Sequence, residues 1–147
     1  MEPNFYDHEY LIIDEISYRF KDPQRGEIIV FKYPKNPQEY FIKRIVGLPG
    51  EAVKIKDGKV TVYNAESSEG FTLKEPYLDE NTKTYSTNEE MVFLEEDEYF
   101  VLGDNRVSSK DSRSFGPVNT SFIIGKVWFR GWPFDRVDVF EVPEYQY

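Results

Sequence analysis

A lysine stands at position 43 where a lysine is costly. In the run Tyr40-Phe41-Ile42-Lys43-Arg44-Ile45-Val46, every residue except Lys43 and Arg44 is β-branched or aromatic. Such a run predicts a central strand with both faces apolar. Side chains two residues apart share a strand face, so Lys43 is expected beside Phe41 and Ile45. Taking an ammonium out of water favours the neutral amine. A neutral amine can act as a general base or as a nucleophile. A lysine at a sheet edge that extends its head into solvent would do neither.

A second stretch carries the complementary groups. Gly103-Asp104-Asn105-Arg106-Val107-Ser108-Ser109-Lys110-Asp111-Ser112-Arg113-Ser114-Phe115-Gly116 holds two Asp, two Arg, four Ser and two Gly in fourteen positions. It follows the apolar run Tyr99-Phe100-Val101-Leu102, which reads as a strand. Carboxylates and guanidiniums at this density can pair bidentately and hold a turn rigid. Rigid polar turns at strand ends often carry function. Taken alone, the stretch is also consistent with a salt-bridged, Ser-rich surface turn.

Together the two stretches resemble type I signal peptidases, membrane-bound serine endopeptidases that remove signal peptides from exported proteins. The matching boxes run in family order. Met1-Glu2-Pro3 resembles the Met-x-Pro that follows the nucleophilic serine, and Arg25-Gly26-Glu27-Ile28-Ile29-Val30-Phe31 resembles Arg-Gly-Asp-Ile-Val-Val-Phe. Lys43 to Glu51 resembles the box with the catalytic lysine, and Gly103 to Gly116 resembles Gly-Asp-Asn-Arg-x-x-Ser-x-Asp-Ser-Arg-x-x-Gly. Leu73-Lys74-Glu75-Pro76-Tyr77-Leu78 and Trp132-Pro133 are weaker matches. The resemblance covers nearly the whole chain, so residues 1–147 are expected to form one catalytic domain with a variable insertion at 64–90.

The resemblance implies a role for each matching residue. Lys43 would be the general base of a Ser/Lys dyad, and Ser109 the hydroxyl that orients it. Arg44, Asp104, Asp111 and Arg113 would support the loop that carries Ser109. Met1, Phe5, Leu11, Val30, Phe41 and Ile42 fall on positions that line the substrate pockets. Such pockets accept small residues in an Ala-x-Ala pattern by excluding bulk. No metal or cofactor is implied.

One departure is large. The nucleophilic serine is expected directly before Met1, and the chain begins at Met1. The segment upstream, which would complete the oxyanion hole, and the amino-terminal membrane anchor are missing too. The chain as it stands is therefore expected to be inactive. Two other readings stay open: a non-catalytic homologue that binds signal peptides without cutting them, and a self-cleaving repressor-type Ser/Lys protease. The only histidine, His8 in Tyr6-Asp7-His8-Glu9, is read as an exposed, paired side chain. A single histidine argues against a zinc hydrolase and against a His-based triad.

Composition narrows the partners. The net charge of −9 disfavours nucleic acid and simple electrostatic docking on anionic lipid. A membrane-surface enzyme of this charge needs an apolar contact or a continuous anchor. The partners implied by the resemblance are signal peptides and, through the anchor, a membrane surface. The expected location is the outer side of a bacterial cytoplasmic membrane. No apolar run approaches the length of a membrane-spanning helix. The absence of cysteine excludes disulfides and thiolate metal sites.

Strand patterns position these groups. Candidates lie at 9–13, 16–20, 27–33, 40–47, 52–56, 59–63, 91–94, 98–102, 122–130 and 137–142. Lys56-Asp57-Gly58-Lys59 signals a two-residue hairpin that sets Ile55 opposite Val60 and Val53 opposite Val62. A short helical turn fits 117–122. The pattern gives an all-β fold with a coiled antiparallel sheet, and the resemblance implies the signal-peptidase and self-cleaving-repressor type. Residues 64–90, rich in Ser, Glu, Asn and Thr, read as a long mobile insertion, and 141–147 as a frayed tail. Trp128, Phe129, Trp132 and Phe134 are read as a core cluster, with a lipid interface as the alternative.

Overall fold

A computed structural model describes residues 1–2, 4–6 and 8–143. Pro3, Asp7 and the end of the expected tail, 144–147, lie outside the described residues. The strands are β1 (Tyr10–Asp14), β2 (Ile28–Tyr33), β3 (Asn36–Gly47), β4 (Ala52–Lys56), β5 (Lys59–Tyr63), β6 (Phe71–Thr72), β7 (Val92–Phe93), β8 (Glu98–Leu102), β9 (Val118–Asn119), β10 (Ile123–Trp132) and β11 (Asp138–Val139). One short helix, α1, spans Ser112–Phe115. The strands form two antiparallel sheets, as the sequence patterns require. The larger runs β1-β10-β2-β3-β8-β9, with β11 paired to β10, and the smaller runs β6-β5-β4-β7.

Alternating side chains build three apolar clusters. Val46, Val53, Ile55, Val60, Val62, Leu73, Leu94, Phe100 and Leu102 join the small sheet to the large one. Ile29, Phe31, Ile45, Tyr99, Val101 and Val118 fill one face of the large sheet. Phe5, Ile28 and Val127 centre the third cluster, on the face reached by Val30 and Ile42. The hairpin at Asp57-Gly58 forms as expected, with Ile55 opposite Val60 and Val53 opposite Val62. Both turn residues have positive φ, 53° and 78°, the geometry that matches strand twist.

Three expectations change. The strand expected at 16–20 is a 3-10 turn, Ser17–Arg19. The Asp14 carboxylate accepts the N–H groups of Ile16 and Ser17, each at 3.0 Å, and curls the chain away from the sheet. The strand at 40–47 is only half central. Residue 44 is opposite Leu102 and residue 45 opposite Val101, but β8 gives way to the Gly103 loop beyond Leu102. Among the described residues, no strand pairs with the outer edge of Tyr40–Lys43. Residues 64–90 are pinned to the body: Leu73 and Thr84 are buried, and β6 pairs with β5. The expected helical turn appears as a 3-10 turn at Thr120–Phe122.

Candidate active site

Lys43 lies opposite Ile29 on the paired edge of β3. Its stem runs beside Gly103, where a Cβ would lie 3.6 Å from Lys43 Cδ. Its ammonium stands 5.4 Å from the Phe41 ring centre and donates to the Ile42 carbonyl at 2.9 Å. Burial pushes this ammonium below the ordinary lysine range, while the carboxylates of Asp111 and Asp104 pull the other way. The balance is a lysine that gives up its proton more readily than one in water.

Ser109 packs against the same glycine. A Cβ on Gly103 would meet Ser109 Oγ at 1.9 Å and Ser109 Cβ at 2.5 Å. The Ser109 hydroxyl is buried and has no hydrogen-bond partner among the described residues. It and Lys43 thus share one glycine-floored space, although the lysine amine turns to the Ile42 carbonyl and not to the hydroxyl. Asp111 holds the loop that presents Ser109. Its fully buried carboxylate caps α1 and accepts the Gly103 N–H at 3.0 Å. Arg113 grips the same carboxylate with Nε and Nη2, both at 2.8 Å, and donates to the Arg106 carbonyl.

Arg44 points away from Lys43, as neighbours on a strand must. It is buried and clasps Asp104 bidentately, Nε to Oδ1 at 3.0 Å and Nη2 to Oδ2 at 2.8 Å. The Asp104 N–H donates to Met1 Sδ at 3.4 Å, and the Asn4 amide donates to Asp104 Oδ2 at 2.6 Å. Met1 opens a tight turn whose carbonyl accepts the N–H groups of Asn4 and Phe5, each at 3.1 Å. The first residues are therefore tied to the Gly103 loop, on the far side of which sits the Lys43 stem.

Five of the six expected pocket residues gather in one cluster: Met1, Phe5, Leu11, Val30 and Ile42. Val30 and Ile42 are direct cross-strand neighbours. Phe41 is not among them. It faces the opposite side of β3, stacked on Tyr33 at 4.6 Å and edge-on to Phe31.

This arrangement is a half-buried amine, a buried hydroxyl and a tied-down amino-terminal turn around one glycine. Comparisons with known proteins give the family. The family model for signal peptidase, peptidase S26, matches residues 1–132. The chain belongs to this family. It is 39% identical over 142 residues to a probable signal peptidase I-2 of Synechocystis, covering 93% of this chain and 61% of that protein. It is 34% identical over 145 residues to signal peptidase IB of Staphylococcus aureus, covering 92% and 75%. A crystal structure of a signal peptidase I from Enterococcus faecalis superposes with a TM-score of 0.58 at 34% identity, covering 73% of this chain and 97% of that one. The chain spans only 61% and 66% of the two cyanobacterial relatives, from Synechocystis and Leptolyngbya laminosa.

Several residues that hold this site lie in the matching boxes but were given no role from the sequence. Arg106 is buried, donates to the Gly103 carbonyl at 3.1 Å and forms a bidentate pair with Glu75. Tyr77 lies under the Arg44 guanidinium, 3.8 Å from ring centre to Cζ. Behind the Leu48-Pro49-Gly50 turn, Arg25 pairs with Glu51 through both nitrogens, at 2.9 and 2.7 Å. These partners are 26 to 33 residues apart in the chain, and polar letters at that separation carry no local pattern. His8 is exposed, and the neighbouring Glu9 pairs with Arg136 at 2.7 Å. The core reading of the aromatic cluster is corrected: Trp128 and Trp132, four residues apart on one face of β10, and Phe134 in the 3-10 turn that follows are exposed.

Proposed function

We propose that this chain is the catalytic part of an endopeptidase that removes amino-terminal signal peptides from exported preproteins. The observation that carries this is Lys43, a lysine kept out of water beside the loop that ties down Met1. The nucleophile is a serine directly ahead of Met1, where the family motif has it. The neutral Lys43 amine takes the proton from that hydroxyl as the oxygen attacks the carbonyl of the scissile bond. The resulting ammonium is favoured by the negative field of Asp111 and Asp104, the same field that opposes its deprotonation at rest. It then returns the proton to the leaving amine, and a water deprotonated by Lys43 releases the acyl group. Ser109 orients the amine.

The open edge of β3 at residues 40–43 suits an extended peptide that adds as a strand. The apolar cluster of Met1, Leu11, Val30 and Ile42, reached from β3 through Ile42, is the apolar surface we assign to Ala-x-Ala selection. Exposed Tyr10, Ile12, Trp128, Trp132 and Phe134 offer the apolar contact that a protein of charge −9 needs at a membrane. We place the domain on the outer side of a bacterial cytoplasmic membrane, held by an upstream anchor. The test is signal-peptide cleavage in detergent by the protein with its upstream segment. Lys43→Arg keeps the charge but cannot act as a base, so cleavage should be lost. A near-parental rate in Lys43→Arg refutes the base assignment. A residue other than serine ahead of Met1, with no membrane-spanning segment before it, favours the signal-peptide-binding module instead.

A further inference from the structure

The polar segment 64–90 contributes a side chain to the back of the site. We propose that Tyr77 and Asn4 form a clasp that positions the amino-terminal turn, and with it the residue ahead of Met1, against Lys43; this rests on the peptidase reading. Four residues close a ring of contacts. The Arg44 guanidinium lies on the Tyr77 ring at 3.8 Å. Its Nε and Nη2 hold Asp104, and Nη1 donates to the Gly26 carbonyl. Asp104 Oδ2 accepts the Asn4 amide at 2.6 Å, and the same amide reaches the Tyr77 carbonyl at 3.4 Å. Met1 is tied in through Asp104 N–H and through its own carbonyl, which holds Asn4 and Phe5.

Each contact acts in one direction, toward a fixed turn. A guanidinium stacked on an aromatic face loses freedom to swing while keeping its in-plane donors for a carboxylate. Arg44 therefore holds Asp104 in one orientation, and Oδ2 of that fixed carboxylate accepts a second hydrogen bond, from Asn4. Tyr77 is itself held from behind: its hydroxyl donates to Glu75 at 2.6 Å, and Glu75 is locked to buried Arg106. A rigid polar loop on one side and a braced ring on the other leave the 1–5 turn few alternatives. Tyr77 and Asn4 act on the site through Arg44 and Asp104. They are positioning residues, and a small displacement of a nucleophile is enough to cost a large factor in rate.

The test uses the full-length protein with its upstream segment, labelled at methionine ε-methyl groups. This chain has two methionines, Met1 and Met91, and Met1→Leu assigns the first. In Tyr77→Ala and in Asn4→Ala the Met1 methyl resonance should move while that of Met91 stays. For an Ala-x-Ala peptide, kcat should fall roughly tenfold to a hundredfold with KM nearly constant. Tyr77→Phe keeps the ring under Arg44 but loses the Glu75 brace, so both readouts should lie between Tyr77→Ala and the parent. Asn4→Ala removes only an amide, so it remains informative if Tyr77→Ala folds poorly. An unmoved Met1 methyl with kcat within about twofold of the parent in Asn4→Ala overturns the clasp. If the parent itself cleaves nothing, the peptidase reading fails, and the Met1 methyl still decides the clasp.

Discussion

Replacing Gly103 by alanine tests whether the site is organised around that one residue. A Cβ there would lie 2.5 Å from Ser109 Cβ and 1.9 Å from Ser109 Oγ. Rotating Ser109 about its side-chain bond clears the oxygen but not the Cβ, which is fixed to the backbone. Carbon atoms pack at about 3.5–4.0 Å, so the two carbons must separate by about 1 Å. The loop cannot yield freely, because the side chains of Asp111 and Arg106 are bonded to Gly103 itself and Arg113 holds the Arg106 carbonyl. Overpacking of this kind costs about 1–3 kcal/mol, and a 1 Å shift at a reacting group costs about a hundredfold in rate. Gly103→Ala should therefore lower unfolding stability by that amount and kcat/KM by about two orders of magnitude. The paired measurement is a double-mutant cycle with Ser109→Gly, read by urea unfolding and by peptide cleavage. The clash predicts strong coupling in stability: Ser109→Gly should rescue folding of Gly103→Ala but not its activity. Additive stabilities, or a Gly103→Ala protein with parental stability and rate, would refute the reasoning.

Other outcomes follow from the same geometry. Lys43 has a folded-state pKa below its unfolded value near 10.5, so the unfolded chain binds the proton more readily and stability rises with pH between the two. Lys43→Met should lack that rise and should be the more stable protein at pH values below the folded pKa, as urea titrations at several pH values will show. The cleavage rate of the parent should climb with pH through the same depressed pKa. Arg44→Met leaves the carboxylate of Asp104, which has no exposed surface, without its cation and should cost about 3–5 kcal/mol in chemical denaturation; a loss under about 1 kcal/mol would mean that water reaches the pair. Ser109→Ala removes a buried hydroxyl that has no partner among the described residues, so it should slow cleavage without lowering stability. Lower stability with an unchanged rate would make Ser109 a structural turn residue.

The strand patterns and the motif boxes are local properties, and so they were readable in the chain. Alternation over two residues and the Asp57-Gly58 turn specify β4 and β5 because side-chain direction and turn φ depend on immediate neighbours. The all-β class, the family and the choice of Lys43 as a candidate base follow from such runs; its setting does not, because the Gly103 loop and not a flanking strand lies beside it. What lay beyond reach depends on which distant segments meet. The strand expected at 16–20 was lost to one carboxylate, Asp14, whose hydrogen bonds outcompete a weak β signal. Phe41 and Ile42 are adjacent letters, yet the sheet turns one to the Tyr33 stack and the other to the Met1 cluster. Segment 64–90 has the composition of a solvated loop, but its Glu75, Tyr77 and Thr84 meet Arg106 and Arg44. A polar residue reads as solvent-facing until its buried partner is known, and that partner is chosen by the tertiary fold, not by neighbours in sequence.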